Sequence, residues 1–304
     1  MGTQKSVIFF FLDGVGIGRK DSSSNPFFAG TYPTIQEIFC GSIPSLEDDH
    51  RTSYKYSTVP LDATLGVPGY PQSGTGQTAL LTGINAAQHI GKHFGPHPYS
   101  LLRPIIKEHN IFAKLHSLGR SVLFANAYPQ KYFEYIAQKP GIVGANALAW
   151  LLSNFDLKNH NDLLTGNALS ADITNERWKR MGYPEISEIT PYEAGERLAV
   201  LSQKYNFVMF EYYQTDKAGH AQSMYDAIKI LTMLDDMLKG ILDNIDMERT
   251  LLLLTSDHGN MEDLSTRTHT LNPVPLIAAG NDHAIIHGKN SIIDVAPIIV
   301  DFLS

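Results

Sequence analysis

The chain of 304 residues contains a single cysteine, Cys40, so no disulfide bond can form within it. It has no run of Lys and Arg and a net charge of −7, which disfavours a nucleic-acid partner. Its apolar run at 7–12 is too short for a signal-peptide core, and no segment approaches the roughly 20 apolar residues of a membrane span. These absences predict a soluble, cytoplasmic protein that binds neither nucleic acid nor membrane.

Short apolar runs alternate with segments of helical pattern along much of the chain. They predict strands at 6–12, 121–128, 207–213, 250–256 and 274–280, and helices after Ser73, at 100–119 with a break near Pro104, and at 191–205, 223–242 and 291–303. This alternation predicts an α/β fold with a mostly parallel sheet.

The middle of the chain, 129–190, has a different composition. It is rich in Gly, Asn, Pro and Tyr and shows one clear helical pattern, near 145–153. We therefore expect a core built from 1–128 and 191–304, with 129–190 as an inserted cap or a set of long loops.

Carboxylates and imidazoles follow the predicted strands, at the edge where ligands bind in open α/β sheets. They are Asp13, the pair Asp216 and His220, the pair Asp257 and His258, and His269. Each alone has a common structural explanation, since an aspartate at a strand end often caps a helix. The i,i+4 spacing of Asp216 and His220 would suit one helix face, but Gly219 disfavours a regular helix there. Together these residues predict a site for one or two divalent ions, Mn²⁺, Zn²⁺ or Mg²⁺.

The segment 71–83, PQSGTGQTALLTG, leads from small polar residues into an apolar helix. A helix N-terminus with hydroxyl residues suits a phosphate group, although Ser73 alone could be an ordinary helix cap. The segment is not a Walker A loop, because Gly-Lys-Ser/Thr is absent. Thr75 and Thr78 are alternative hydroxyls.

Taken in order, these motifs resemble the alkaline phosphatase superfamily of two-metal phosphoryl and sulfuryl transfer enzymes. The motifs are Phe11-Leu12-Asp13-Gly14, Ser73 with Thr82-Gly83, Asp216-x-x-x-His220, Asp257-His258-Gly259-Asn260, and His269-Thr270 before Asn272-Pro273-Val274-Pro275. The chain is most similar to the branch that contains cofactor-independent phosphoglycerate mutase and phosphopentomutase, over 6–95 and 206–304. The resemblance implies an alkaline phosphatase-like sheet flanked by helices, with a small inserted cap.

The resemblance also implies a role for each motif residue. One ion would be held by Asp216, His220 and His269, and the other by Asp13, Ser73, Asp257 and His258. Ser73 would be the nucleophile, and it has the family's spacing to the Thr-Gly pair. A phosphoserine would form and then pass its phosphoryl group to water or to a second hydroxyl.

Two departures from the mutase branch bear on the reaction. Gln77 stands where that branch normally has a histidine, and the interval from Ser73 to Asp216 is too short for a large transferase domain. We therefore expect a hydrolase of phosphate esters, a phosphatase or a phosphodiesterase, with a phosphomutase acting on a phosphosugar or phosphoglycerate as the alternative. An inactive metal-binding module is the third possibility, and the missing Cys/Ser-x-Pro-x-Arg signature disfavours a sulfatase.

Further polar residues are candidates for substrate contact. His89, His93 and His97 form a regular series, but intervening Gly and Pro residues interrupt any helix that would align them as a third metal site. Lys92 and His93 are instead candidates to face the substrate phosphate, and Arg103 and Asn126 are comparable candidates.

Overall fold

The computed structural model describes residues 5–47, 51–98 and 100–304. Within them the strands are β1 (Ser6–Leu12), β2 (Arg51–Thr52), β3 (Tyr56–Leu61), β4 (Val122–Phe124), β5 (Asn126–Ala127), β6 (Leu169–Ser170), β7 (Phe207–Tyr212), β8 (Thr250–Thr255) and β9 (Val274–Ala279). The α-helices are α1 (Pro33–Ile38), α2 (Ser73–Thr82), α3 (Ala86–Ile90), α4 (Leu102–His109), α5 (Ile111–Ser117), α6 (Gln130–Gln138), α7 (Ala145–Leu152), α8 (His160–Leu164), α9 (Glu176–Arg180), α10 (Pro191–Lys204), α11 (Gln214–Ala221), α12 (Met224–Asn244) and α13 (Val295–Leu303). Short 3₁₀ helices lie at Pro26–Phe28, Pro140–Ile142, His283–Ile286 and Ile292–Asp294.

The main sheet has the strand order β2-β3-β9-β8-β1-β7-β4. Its centre is parallel, because β1 runs parallel to both β7 and β8, and β4 runs parallel to β7. This arrangement confirms the predicted α/β fold, and it brings the carboxyl ends of β1, β7 and β8 to one edge. β5 and β6 pair with each other in a separate small sheet.

One side of the sheet is antiparallel, which the sequence pattern did not predict. β9 runs antiparallel to β8, β3 runs antiparallel to β9, and β2 runs antiparallel to β3. β3 escaped prediction because it contains Pro60, which cannot donate to a ladder and argues against a strand. In the structure Pro60 lies opposite Pro275 of β9, so the two prolines share one position of the ladder.

The sheet is buried on both faces, as the unbroken apolar character of β1 requires. Val7, Phe9 and Phe11 face one hydrophobic cluster with α2, α4, α5, α7 and α13. Alternate residues of the same strand face a second cluster with α1, α10 and α12. The helices flanking the sheet therefore follow directly from the two-sided burial of its strands.

The break in the predicted 100–119 helix lies at Asn110 and not near Pro104. α4 ends at His109 and α5 begins at Ile111, and the Asn110 side chain accepts a hydrogen bond of 3.0 Å from the Ala113 amide. Pro104 is tolerated because it lies in the first turn of α4, where a helix has no internal partner for its N–H groups.

The middle segment contains more helix than its composition predicted. Besides α7, which fits the expected helix, it forms α6, α8 and α9. α7 packs in the same hydrophobic cluster as α2 and α4, whereas Leu163, Ala168, Trp178 and Ile186 form a small cluster of their own. Short helices of five residues have too few periodic positions to stand out from a polar sequence. None of the helices in the described parts of the chain is long and apolar enough to cross a membrane.

Candidate metal and nucleophile site

Seven side chains from separate elements meet at the carboxyl edge of the parallel strands. Asp13 follows β1, Asp257 and His258 follow β8, and His269 precedes β9, while α2 and α11 supply the others. We call this set the polar cluster: Asp13, Ser73, Asp216, His220, Asp257, His258 and His269. All seven are residues that the sequence motifs identified, and the sheet topology brings them together.

Ser73 is the first residue of α2 and not its cap, because Gln72 precedes the helix and makes no side-chain capping bond. Its Oγ lies 3.0 Å from Nε2 of His258. The neighbouring hydroxyls are engaged elsewhere: Thr75 donates to the Gln72 carbonyl at 3.1 Å, and Thr78 donates to the Gly74 carbonyl at 2.6 Å. Of the three hydroxyls considered, Ser73 is therefore the one that faces the polar cluster.

Asp216 and His220 lie on the regular helix α11, contrary to the expectation from Gly219. Nε2 of His220 is 3.4 Å from Oδ2 of Asp216, as the i,i+4 spacing allows. A Cβ at position 219 would lie 2.5 Å from the side chain of Asn260. The glycine is present because the helix packs closely against that asparagine, which donates a 2.6 Å hydrogen bond to Oδ1 of Asp216.

The three histidines of the polar cluster are anchored in the same way. Nδ1 of His220 lies 2.8 Å from the carbonyl oxygen of Arg267, and Nδ1 of His269 lies 2.7 Å from that of Pro71. Nδ1 of His258 lies 3.4 Å from the carbonyl oxygen of Gly259. Because a carbonyl oxygen only accepts, each Nδ1 carries the ring proton, and each Nε2 presents a lone pair. This arrangement is typical of histidines that bind a metal through Nε2.

The three Nε2 atoms converge on the carboxylates. Nε2 of His269 lies 3.3 Å from Nε2 of His220 and 3.6 Å from Oδ1 of Asp216. Nε2 of His258 lies 3.4 Å from Oδ1 of Asp13. The His258 and His269 rings stack with centroids 3.7 Å apart. The Nε2 lone pairs of His269 and His220 face each other and repel, so a cation between them would relieve this repulsion.

Two carboxylate oxygens, Oδ1 of Asp13 and Oδ2 of Asp257, are buried and accept no hydrogen bond from the described residues. Burial raises the pKa of Asp257 to about 7, and Asp216 adds to the rise. Burial, followed by the charge of Asp257, also raises the pKa of Asp13 well above its usual range. The pKa of His258 falls to about 3, mainly through burial and next through His269, so the ring is neutral at pH 7. Buried acids without partners and a neutral imidazole are a donor set that a divalent cation satisfies.

The ligand atoms fall into two overlapping groups. Those of Asp13, Asp257 and His258 lie within 4.8 Å of one another, as do those of Asp216, His258 and His269. His258 belongs to both groups because its ring lies between them, whereas the sequence motifs predicted it for one group only. Carboxylate and imidazole ligands without thiolate suit divalent ions such as Mn²⁺, Zn²⁺ and Mg²⁺.

The other predicted contact residues are Lys92, His93, Arg103 and Asn126, and the structure places them as follows. Nζ of Lys92 is 5.6 Å from the centre of the Phe94 ring, Nε2 of His93 is 3.1 Å from the Val67 carbonyl, and Arg103 lies in α4. Asn126 uses both ends of its amide on the backbone of Glu211, accepting from its N–H and donating to its carbonyl at 2.8 Å each. Asn126 therefore holds the end of β7 in place, and substrate contact by all four residues stays a prediction.

Two residues of the site were absent from the predicted set. Asn260 donates to Asp216, and Glu262 is fully buried beneath the loop that carries Asp257 and His258. Asn260 stood in the recognised motif without a role assigned to it. Glu262 lies in the sequence Asn-Met-Glu-Asp, where nothing distinguishes a buried acid from an exposed one. Only the tertiary fold reveals its position.

The C-terminal part of the chain, 193–304, matches the model of the Metalloenzyme superfamily. Two curated relatives are 2,3-bisphosphoglycerate-independent phosphoglycerate mutases. The one from Antithamnion sp. is 30% identical over 186 residues, 52% of this chain and 36% of that protein. The one from Ehrlichia ruminantium (strain Gardel) is 31% identical over 131 residues, 40% of this chain and 26% of that protein. The chain thus spans about a third or less of these relatives' lengths.

Solved structures share the fold over nearly the whole chain. The PH0037 protein from Pyrococcus horikoshii has a TM-score of 0.58 at 15% identity, covering 100% of this chain and 98% of that one. An alkaline phosphatase from the Antarctic bacterium TAB5 has a TM-score of 0.52 at 16% identity, with 99% and 98% covered. A Leishmania mexicana phosphoglycerate mutase has a TM-score of 0.50 at 12% identity, with 99% and 95% covered.

The sequence matches confirm the resemblance to the Metalloenzyme superfamily and to cofactor-independent phosphoglycerate mutases, and the solved structures confirm the predicted alkaline phosphatase-like fold class. The family match covers five members of the polar cluster, Asp216, His220, Asp257, His258 and His269. Together with the two groups of ligand atoms, it implies that the protein uses divalent metal ions.

Proposed function

We propose that the protein is a metal-dependent phosphoryl-transfer enzyme that hydrolyses small phosphate esters through Ser73. The observation that supports it best is the convergence of three Nε2 lone pairs and two unpaired, buried carboxylate oxygens beside one serine hydroxyl. Such a set is costly to bury without a cation, and a serine at its rim is suited to attack an electrophile held there.

Two divalent ions fit the donor set. Asp216, His220 and His269 would hold one, and Asp13, Ser73, Asp257 and His258 would hold the other, with Mn²⁺ or Zn²⁺ favoured and Mg²⁺ as an alternative. When bound, divalent ions lower the pKa of a ligating hydroxyl and neutralise charge on a phosphoryl group. The Nδ1–H groups of the three histidines, each directed at a carbonyl, keep the imidazole rings oriented for that role.

The chain's own residues define the path of the phosphoryl group. Oγ of Ser73 releases its proton to solvent and forms a bond to phosphorus, and the bond from phosphorus to the ester oxygen breaks. The leaving oxygen keeps the electron pair and takes a proton from water, which yields the alcohol. Water then cleaves the phosphoserine and releases inorganic phosphate. The start of α2, where Ser73 lies, offers a partial positive charge to the phosphoryl oxygens.

A phosphomutase is the second candidate, and the curated phosphoglycerate mutase relatives favour it. It would use the same phosphoserine but return the phosphoryl group to another hydroxyl of a phosphosugar or phosphoglycerate. The two reactions differ in their products. Interconversion of phosphoglycerates or pentose phosphates without release of inorganic phosphate would identify the mutase.

The segment 129–190 is proposed to cap the site and set substrate choice. In support, Tyr132, Ile142 and Ala147 from this segment line one cavity together with His97 and Glu211 of the core segments. The segment therefore contributes one wall of a space that the strand ends also border.

Ser73→Ala tests the proposal most directly. The substitution removes the attacking oxygen and leaves the aspartates and histidines in place, so turnover of p-nitrophenyl phosphate with Mn²⁺ should fall by roughly 10³-fold or more. Mass spectrometry of protein quenched during turnover should detect one phosphoryl group on Ser73.

Thr78→Ala is the matched control, because it removes a hydroxyl from the same helix that donates to a carbonyl. Its turnover per folded molecule should stay within a few-fold of the unaltered protein. A folded Ser73→Ala protein with near-normal turnover would show that another nucleophile acts. A metal-loaded, unaltered protein without turnover or mutase activity would favour an inactive metal-binding module.

A further inference from the structure

A cavity of about 440 Å³ lies between the middle segment and the end of β7. This volume is in the range of roughly 300–1,000 Å³ that small-molecule sites occupy. Its lining is rich in aromatic rings and includes Tyr128, Tyr132, Trp178, Tyr213, His97 and Glu211. The cavity is distinct from the polar cluster, none of whose seven residues lines it.

The segment 94–97 links the cavity to the start of α2. The carbonyl oxygens of Phe94 and His97 would each lie 2.6 Å from a Cβ at Gly74, so the 94–97 segment crosses directly over the residue after Ser73. The His97 side chain then lines the cavity. On the other side, Tyr213 lines the cavity and directly precedes α11, which carries Asp216. Two residues of the lining, His97 and Tyr213, therefore belong to segments that adjoin the elements carrying Ser73 and Asp216.

Glu211 places a carboxylate in the cavity wall. Asn126 fixes its backbone, and its side chain projects from the same face of β7 as Phe207 and Met209, toward α7. Burial raises the pKa of Glu211 to about 7, with Asn146 opposing the rise and Asp257 adding to it. Neither Asn146 nor Asp257 is a cation, so neither residue supplies a positive charge that compensates the Glu211 carboxylate.

Three tyrosines line the same cavity as this carboxylate. Burial raises the pKa of Tyr128, Tyr132 and Tyr213, and the negative charge of Glu211 raises each of them further, while the positive charge of Arg177 opposes the rise at Tyr213. Their rings also form a wall, since Tyr128 and Tyr132 stack with centroids 4.3 Å apart. Aromatic faces around a carboxylate are the composition that recognises ammonium groups, because both attract a cation.

The remaining charged groups of the lining leave the cavity negative. Asp172 and Arg177 both line it and carry opposite charges, which offset each other. Burial lowers the pKa of His97, which keeps the ring neutral at pH 7. Glu211 is then the acid without an opposite charge beside it, and a cationic ligand would complement and favour its carboxylate form.

We propose that this cavity binds an ammonium group on the alcohol part of the substrate, so that the enzyme acts on phosphate esters of amino or quaternary-ammonium alcohols. The proposal rests on the phosphoryl-transfer function proposed above for its kinetic consequences, but the cation site itself can be measured without turnover.

The binding test uses the Ser73→Ala protein and two probes of equal shape, choline and its uncharged analogue 3,3-dimethyl-1-butanol. Calorimetry should show choline binding at least about tenfold more tightly than the neutral alcohol. Glu211→Gln should weaken choline binding by about tenfold or more. Glu176→Gln, which changes an acid lining the neighbouring cavity of about 370 Å³, should leave it unchanged.

Two results would overturn the cation site. Equal affinity for the charged and neutral probes would show an apolar pocket only, and no choline binding at all would discard the site. The comparison of the two probes uses the intact pocket, so it decides the matter even if Glu211→Gln fails to fold.

The kinetic test compares phosphocholine and phosphoethanolamine with glycerol 3-phosphate, an ester of an uncharged alcohol. With Mn²⁺ the unaltered enzyme should prefer the two ammonium esters by at least about tenfold in kcat/KM. Glu211→Gln should remove the preference by raising KM, with little change in kcat.

The two proposals fail in different ways. Hydrolysis of p-nitrophenyl phosphate without a preference for ammonium esters would overturn the cation site and leave the phosphoryl-transfer function standing. Selective choline binding without turnover of any phosphate ester would overturn the phosphoryl-transfer function and leave the cation site standing.

Discussion

Glu262 illustrates how a single residue outside the polar cluster can determine its geometry. Its buried carboxylate accepts hydrogen bonds from the Gly16 amide at 2.9 Å, the Asn260 amide at 2.7 Å, the Asn272 side chain at 3.0 Å and the Thr270 hydroxyl. The first partner follows β1 and the others lie in the loop between β8 and β9. Glu262 therefore ties together the loops that present Asp13, Asp257 and His269.

Glu262→Gln should destabilise the protein although it barely changes the shape of the side chain. An amide nitrogen would face donors where the carboxylate accepted from them, which leaves buried groups unpaired and costs about 2 kcal/mol. Chemical denaturation should report this loss, and Mn²⁺ affinity should fall because the ligand loops shift. The exposed Glu248→Gln change is the control and should cost less than about 0.5 kcal/mol. Equal stability of the two variants would contradict the role given to Glu262.

At the scale of the element, α11 is a helix that depends on a glycine. Gly219 lowers helix propensity, yet its missing side chain lets Asn260 approach and bond to Asp216. The close contact places Asp216 between His220 and His269. Packing against a functional residue has thus outweighed local propensity at this position.

Gly219→Ala separates these two effects. Alanine should favour the isolated helix by about 1 kcal/mol, but its Cβ must displace Asn260 and so disturb Asp216. Metal affinity should fall by roughly 10-fold to 100-fold, which titration with Mn²⁺ would measure. Gly141→Ala is the control, since a Cβ there meets no atom within 4 Å. Unchanged metal affinity in Gly219→Ala would show that Asn260 does not position Asp216.

The contrast between local propensity and tertiary packing also explains which elements of the fold could be predicted from the sequence. β1, β7 and β8 were predictable because strands buried on both faces read as unbroken apolar runs, and the topology of such strands brings Asp13 and Asp257 to one edge. β3 and the helical state of α11 were not, because Pro60 and Gly219 oppose those structures locally. Their conformations depend on partners distant in sequence, Pro275 and Asn260, which no local pattern contains.

Cavity-lining residues were the least predictable part of the site. Glu211 lies inside an apolar strand, where a lone acid is as easily an edge residue as a binding group. Tyr128 ends a predicted strand, and Tyr132 comes from the segment 129–190, whose composition suggested a cap or long loops. The three meet only because Asn126 and α7 fix the end of β7 against the middle segment.

At the scale of the whole molecule, buried acids make the metal-free protein sensitive to pH. The pKa of both Asp257 and Glu211 rises to about 7, and that of Asp13 also rises well above its usual range. The folded state then holds protons that the unfolded state has already released, so stability is lost as pH rises through these values. His258, with a pKa of about 3, changes its contribution only below about pH 6.5, outside this window.

The melting temperature of metal-free protein should therefore fall between about pH 6.5 and about pH 8. Added Mn²⁺ should raise it, and more so at the higher pH, because metal and protons compete for the same oxygens. Metal at a hundredfold excess over Kd contributes about 2.7 kcal/mol per site. Elemental analysis of the reconstituted protein should find two ions per chain. Metal-free protein that becomes more stable over this pH range, or that ignores Mn²⁺, would contradict the account.

The central position of β1 in the sheet has a consequence for how the protein is made. Both neighbours of this strand, β7 and β8, are synthesised far later, and the second is complete only at residue 255. At about 5–20 residues per second, the nascent segment SVIFFFL waits roughly 10–50 s on the ribosome before both of its edges can pair. A chaperone that covers this hydrophobic stretch should raise the yield of folded protein, whereas a slow ribosome should lower it.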